Sequence, residues 1–336
     1  MNQKIKSLYG KDKNFVRLLG VCLFIFALCA ILRPRLFLRT SNFLSMCRQF
    51  PEFGIMSIGI SLTILTGGID LSSVFVANLS SIIAAKTMLA LIPDMNASDT
   101  TTLVMIFLAC CLSLLIGLLC GMFNGFLISK IGIPPILATL GSQQLFWGIA
   151  IIISKGKSIS GLPMKYFEIG NTDIFGFIPI SLVWFIVIAL LFGMLLSRTK
   201  FGKRLYLLGT NPVASSFAGL HNARLLIMTY ACSGILAAFS GLIMMATTNS
   251  TKADYGASYT MQCILIVVMG GFSPSGGEGN IRGLVLVVLI LQMLSSTLNM
   301  FENVSNFYRD IIWGVALVAV LIINHTINKR EARIRK

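Results

Sequence analysis

The sequence predicts an all-α polytopic membrane protein of about ten transmembrane helices, and three observations carry that prediction. Apolar residues make up 56% of the chain and charged ones only 12%, against roughly 25% charged in a typical soluble domain. Apolar stretches close to the roughly 20 residues that cross a bilayer recur along the whole length, and basic residues collect at their ends. Two of these stretches are interrupted by glycine pairs, which reads as two glycine-broken regions with the outline of a pseudo-repeat.

The apolar segments fall at about 16–32, 43–66, 73–92, 103–128, 133–153, 178–197, 225–247, 257–272, 281–300 and 309–325. The first follows Lys4, Lys6, Lys11, Lys13 and Arg17, an arrangement that mimics a secretory signal. Its end, Ala30-Ile31-Leu32-Arg33-Pro34, lacks a small-residue cleavage site, so it reads as a retained helix. An even number of spans places both ends on one side, and both ends are basic. Residues 1–15, the loop 198–224 and the tail 326–336 are therefore expected in the cytoplasm, all within one membrane domain covering 1–336. Arg198, Lys200, Lys203, Arg204 and Arg224 in the long loop agree with that side; Arg33, Arg35 and Arg39 fall on the other and oppose it.

Between the second and third segments stands Thr66-Gly67-Gly68-Ile69-Asp70-Leu71-Ser72. A charge at membrane depth costs about 2.5–3.5 kcal/mol on insertion scales, so Asp70 needs a cavity, a partner or a membrane edge. Gly67 and Gly68 weaken the helix and tolerate positive φ, whereas Asp70 and Ser72 are good helix starters. Two readings stay open: a short turn with an N-cap at the membrane surface, and a broken helix lining a polar pathway. A similar sequence of apolar helix, glycine pair, acidic residue and new helix recurs at Gly270-Gly271 through Gly276-Gly277-Glu278-Gly279. Pro134-Pro135 suits the start of the fifth segment, and Thr139 and Gln143, four residues apart on one face, either line a path or bond to neighbouring helices.

The loop 198–224 carries its own signals. Asn211 can cap, Pro212 suits the first helical position and Gly219 can end the turn, so 212–218 is expected as a short helix. Its small residues Ala214, Ser215 and Ala218 would allow close approach of a soluble partner. The alternative is an ordinary connector.

Several classes of function are excluded. The net charge of +15 comes from residues at segment ends without aromatic interleaving, which fits membrane topology better than nucleic acid. The eight cysteines show no Cys-x-x-Cys spacing and mostly lie in apolar segments, so no metal site is expected. There is no Gly-x-x-x-x-Gly-Lys-Ser/Thr, no His-Glu-x-x-His and no Gly-x-Ser-x-Gly, which leaves neither a nucleotide loop of that kind nor a recognisable catalytic motif.

Taken together, Thr66 to Ser72, Asn124-Gly125, Ile133-Pro134-Pro135-Ile136-Leu137-Ala138-Thr139-Leu140-Gly141, Gly209-Thr210-Asn211 leading to Ala218-Gly219, and Val268-Met269-Gly270-Gly271 through Gly279 resemble one family. It is that of the permease subunits of ribose-type ABC sugar importers, which includes autoinducer-2 and other monosaccharide permeases. The resemblance runs from about Phe43 to Asn324. It implies a non-catalytic permease in a bacterial inner membrane that works as a dimer with itself or a paralogue. It further implies two cytoplasmic ATP-binding cassettes that hold ATP and Mg, an extracytoplasmic sugar-binding protein, and no cofactor on this chain. On this resemblance Gly67, Gly68, Asp70, Ser72, Thr139, Gln143, Gly270, Gly271, Gly276 and Gly277 belong to the translocation path and its broken helices. Gly209, Asn211, Pro212, Ala214, Ala218 and Gly219 would couple to the ATPase. Two departures are visible: Ser73-Val74 follows Ser72 where the family has Val-Gly, and Thr260-Met261-Gln262-Cys263 stands near where it has an acidic pair. The competing expectation is an ion-coupled secondary transporter, but its ionisable set would be thin: Asp70, Lys86 near a segment end, and His221 and His325 outside the spans.

Overall fold

A computed structural model describes residues 13–92 and 100–301, with isolated positions at 311, 314, 315 and 318. The described chain is a bundle of helices with two minimal two-stranded sheets. In order the helices are α1 (Lys13–Leu32), α2 (Pro34–Phe37), α3 (Thr40–Leu65), α4 (Ser73–Leu91) and α5 (Thr100–Phe126), the last continued by a π turn at Leu127–Ile131. They go on as α6 (Pro135–Ser154), α7 (Met164–Asn171), α8 (Ile180–Arg198), α9 (Lys200–Thr210), α10 (Pro212–Phe217), α11 (Asn222–Thr248), α12 (Tyr259–Met269) and α13 (Ile281–Leu298).

Seven of these helices, α1, α4, α5, α6, α8, α11 and α13, are long and apolar enough to cross a membrane among the described residues. The expectation of about ten is not reproduced, for three separate reasons. The segment 309–325 lies outside the described residues apart from four positions. The segment 257–272 forms only the 11-residue α12, about 16 Å long and so about half a bilayer core. The segment 43–66 forms α3, which at 26 residues is long enough but carries Arg48, Gln49, Glu52 and many Ser and Thr.

The polarity of α3 follows from its position. Every residue from Phe50 to Leu65 is buried, with Ile55, Ile58 and Leu62 in the largest core cluster against Leu236 of α11, Val267 of α12 and Val287 of α13. A helix surrounded by protein needs no apolar coat, whereas α5, α6 and α8 at the periphery show Phe107, Leu137, Ile152 and Leu190 to the outside. Pro51 in the middle of α3 removes the donor to the Cys47 carbonyl, and the Ser181 hydroxyl supplies one at 3.4 Å.

Close packing of α5 on α11 uses small residues at four-residue intervals. A Cβ added at Gly117 would overlap the carbonyl of Gly234, and one at Gly121 would overlap the Tyr230 carbonyl. That is the small-xxx-small mode of membrane helix association. At one end of the bundle β1 (Ile159–Ser160) pairs with β4 (Ser250–Thr251), and β2 (Asp173–Ile174) pairs with β3 (Ile178–Pro179). The irregular stretch after β4 is held by α4: Asn78 Nδ2 donates to the carbonyls of Ala253 and Tyr255, and Ser81 Oγ meets Thr251 Oγ1 at 2.7 Å. Non-helical backbone within a membrane bundle requires such partners.

Candidate functional site

Both glycine pairs end helices by the same device. After α3, Gly67 takes φ +82 and donates to the Ile64 carbonyl, and Gly68 N–H reaches back to Thr63 O at 3.0 Å. After α12, Gly271 takes φ +96, donates to Val268 O, and Phe272 N–H reaches Val267 O at 3.2 Å. This is a Schellman closure, which needs a residue without a Cβ at the left-handed position. Gly68 sits tight under the Tyr230 hydroxyl and Pro135 of α6, and Gly270 lies against Leu284 of α13.

The two breaks and the long loop meet at one point. Gly277 N–H donates to the Leu65 carbonyl at 2.9 Å. A Cβ on Gly209, at the end of α9, would occupy the space of Leu65 O and Gly277 N; one on Gly276 would press on Gly67 N, and one on Gly277 on Thr210. Three glycine motifs more than 60 residues apart in the chain therefore form one backbone junction. Tyr206 of α9 adds a bond from its hydroxyl to Gly279 O at 2.8 Å. Burial pushes that phenol upward, so it stays a donor at neutral pH.

Beside this junction Asp70 is buried with three donors: Ser72 N–H at 3.0 Å and Ser72 Oγ at 2.7 Å on one oxygen, and Ser233 Oγ of α11 at 3.1 Å on the other. Asn124 Nδ2 of α5 donates to Ser72 Oγ at 2.7 Å. The network ties α5, the break and α11 together, and no Lys or Arg pairs with Asp70 among the described residues. Thr139 of α6 donates to Ile69 O at 3.0 Å and is buried, while Gln143, one turn on, is half-buried.

The loop after α8 is more ordered than a connector. Thr199 caps α9 through Gly202 N–H, and α9 buries Leu205 and Leu208 while leaving Lys203 and Arg204 outside. The short helix predicted at 212–218 is present as α10: Asn211 Oδ1 accepts from Val213 and Ala214 N–H, both at 3.0 Å, and Gly219 at φ +77 closes the end. Ala214 and Ala218 are exposed, as are Val213 (65%) and Phe217 (88%). Ser215 instead turns inward, bonded to Asn222 Oδ1 at 2.9 Å, so it does not share the exposed face.

At the opposite end of α3 lies a cavity of about 530 Å³ that none of the predicted path residues lines. Ser41, Ser45, Arg48, Gln49 and Glu52 of α3 form one wall, with Thr247 and Thr248 of α11, Tyr255, Tyr259 and Gln262 around α12, and Gln292 and Ser295 of α13. Tyr259 Oη donates to Glu52 Oε1 at 3.0 Å, Gln292 Nε2 to Gln49 Oε1 at 3.3 Å, and Arg48 pairs with Asp173 of β2 at 2.6 Å. Sequence reasoning missed this site, yet a signal was there. Positions 45, 48, 49 and 52 are polar at the spacing of one helical face, inside the segment 43–66 that was read only for its apolar content.

A bundle of membrane-length helices around a polar-lined core helix, with a closed backbone junction at one end and a polar cavity toward the other, defines a multi-pass membrane transport protein. The family model for "branched-chain amino acid transport system / permease component" matches residues 42–321. Among curated proteins, the chain is 34% identical over 295 residues to the ribose import permease protein RbsC of Bacillus subtilis (strain 168), covering 87% of each chain. It is 32% identical over 280 residues to the autoinducer 2 import system permease protein LsrD of Yersinia enterocolitica, covering 82% of this chain and 80% of that one. No solved structure matches. The chain belongs to this permease family, in its ribose-type ABC branch, and is a transport subunit rather than an enzyme.

Proposed function

We propose that this chain passes a neutral monosaccharide, ribose-like in size, through the membrane as the permease of an ATP-driven importer. The observation that carries the reading is the cavity beside α3. Its walls are mainly Ser, Thr, Gln, Asn and Tyr with Arg48 and Glu52, groups that exchange hydrogen bonds with hydroxyls, and only Leu44 and Phe53 are apolar. A cavity for a branched aliphatic side chain would be lined with apolar residues instead. The names of the relatives, ribose and autoinducer 2 permeases, point the same way.

In this reading the exposed α10 seats in a cleft of a cytoplasmic ATP-binding subunit, with Val213 and Phe217 as its apolar anchors and Lys203 and Arg204 orienting the approach. The cassettes hold ATP and Mg. Their closure moves α9 and α10, and the junction of Gly209 with Leu65 and Gly277 carries that motion to the breaks at Gly67-Gly68 and Gly270-Gly271. Asp70, Ser72 and Thr139 hold the first break in register, and Gln143 stands one turn above it. A second permease copy or paralogue completes the pore, lipid covers the apolar faces of α5, α6 and α8, and a binding protein delivers sugar to the end that carries the two small sheets. About ten spans with both termini in the cytoplasm complete the topology.

The test is reconstitution in proteoliposomes with the ATP-binding subunits and the binding protein. Sugar uptake should require internal-face ATP, stop with vanadate and ignore a protonophore. Uptake that collapses with the protonophore and ignores ATP would overturn the reading in favour of ion coupling.

A further inference from the structure

Within the cavity one oxygen of a buried carboxyl group is left without a protein partner. Glu52 is 8% exposed and its Oε2 accepts no hydrogen bond. Gln262 is 5% exposed and lines the same cavity. Buried polar groups are ordinarily satisfied, because each unmade bond costs about 1–3 kcal/mol. Such an oxygen facing a cavity, with an amide on the same wall, calls for a ligand or water to complete it.

Their placement is organised. Tyr259 and Gln262 are one turn apart on α12, so they share a face; the Tyr259 hydroxyl fixes one carboxylate oxygen of Glu52 at 3.0 Å and leaves the other free. The Tyr259 ring is in turn held edge-on by Phe53 at 5.8 Å. A carboxyl oxygen, an amide that both donates and accepts, and a neighbouring aromatic ring match a vicinal diol on a small ring: one hydroxyl bonds to the acid, the next to the amide. An anion is poorly served there, because the one guanidinium on the wall, Arg48, already pairs through Nη2 with Asp173, with Nε the one buried nitrogen it leaves unpartnered.

Resting on the monosaccharide reading above, we infer that Glu52 and Gln262 form a hydroxyl-reading site for a neutral polyol, so that the permease itself discriminates among sugars released by its binding protein. A site built to bond a hydroxyl rejects the analogue lacking it more strongly than an apolar site rejects a shape.

The experiment uses the full reconstituted complex and saturating binding protein loaded with radiolabelled sugar, so that affinity for the binding protein drops out. D-ribose heads a panel of neutral monosaccharides; the best-transported one is compared with its single-deoxy analogues, and L-leucine is the control. The wild-type complex should transport the parent sugar at least tenfold faster than one of the deoxy forms. In Q262L and E52Q that ratio should fall at least threefold. The ratio is insensitive to a misfolded fraction, which lowers both rates alike. A wild-type ratio near one, or ratios unchanged in both variants, would overturn this inference while leaving the importer reading intact. ATP-driven uptake of L-leucine with no uptake of any sugar in the panel would overturn both.

Discussion

At Asp70 a carboxyl group is buried with no cation among the described residues, and its oxygens accept from Ser72 N–H, Ser72 Oγ and Ser233 Oγ. Three donors from two elements hold the side chain in place as a fixed structural acceptor. Asparagine keeps one acceptor and can donate to the Ser233 hydroxyl, so Asp70→Asn should retain at least half of wild-type uptake. Leucine cannot serve, and Asp70→Leu should lower the unfolding temperature in detergent and the membrane level of protein. Complete loss of uptake in Asp70→Asn at normal membrane level, with pH-dependent transport in the parent, would instead make Asp70 a carrier. Gly209 makes the complementary case, because its constraint is space. Gly209→Val would drive Leu65 O and Gly277 apart, at a cost of about 1–3 kcal/mol for overpacking. It should lower the unfolding temperature measurably, whereas Gly193→Val, at a position with open space around it, should not.

At the scale of the element, α10 is six residues with Asn211 and Gly219 closing its ends, too short to persist without those caps. On the proposed coupling role, its exposed face is what an ATP-binding subunit would seat on. Ala214→Trp or Ala218→Trp should reduce retention of the ATP-binding subunit on purification roughly tenfold and lower binding-protein-stimulated ATP hydrolysis, with the permease itself inserted and folded. Phe217→Ala should weaken retention by losing an apolar anchor that is 88% exposed in the free subunit. Wild-type retention in all three variants would make α10 a connector and move the docking surface elsewhere.

For the whole molecule, the glycine junction, α9 and α10 lie at one end and the two small sheets at the other. The proposed orientation puts the first end in the cytoplasm. In a cysteine-depleted chain, Lys203→Cys should react with a membrane-impermeant maleimide only after the cells are opened, and Lys157→Cys should react in intact cells. The reverse pattern would invert the topology and place α10 where no cytoplasmic subunit can reach it.

How much was legible beforehand differs by element. The helical membrane class followed from composition and apolar run length, because lipid demands apolar side chains and internally bonded backbone whatever the fold. The caps of α10, the start of α6 at Pro135 and the helix-ending glycine pairs were legible because their causes are local: φ, a missing N–H and a nearby side-chain oxygen. Two things only the tertiary structure decided. Which apolar segment faces lipid and which is wrapped by others cannot be read from hydropathy alone, so α3 passed for an ordinary span when its burial is what permits Arg48, Gln49 and Glu52. The meeting of Leu65, Gly209 and Gly277, and of Glu52 with Tyr259 and Gln262, joins positions up to about 200 residues apart; contact at that separation is set by how helices pack, which no local pattern encodes.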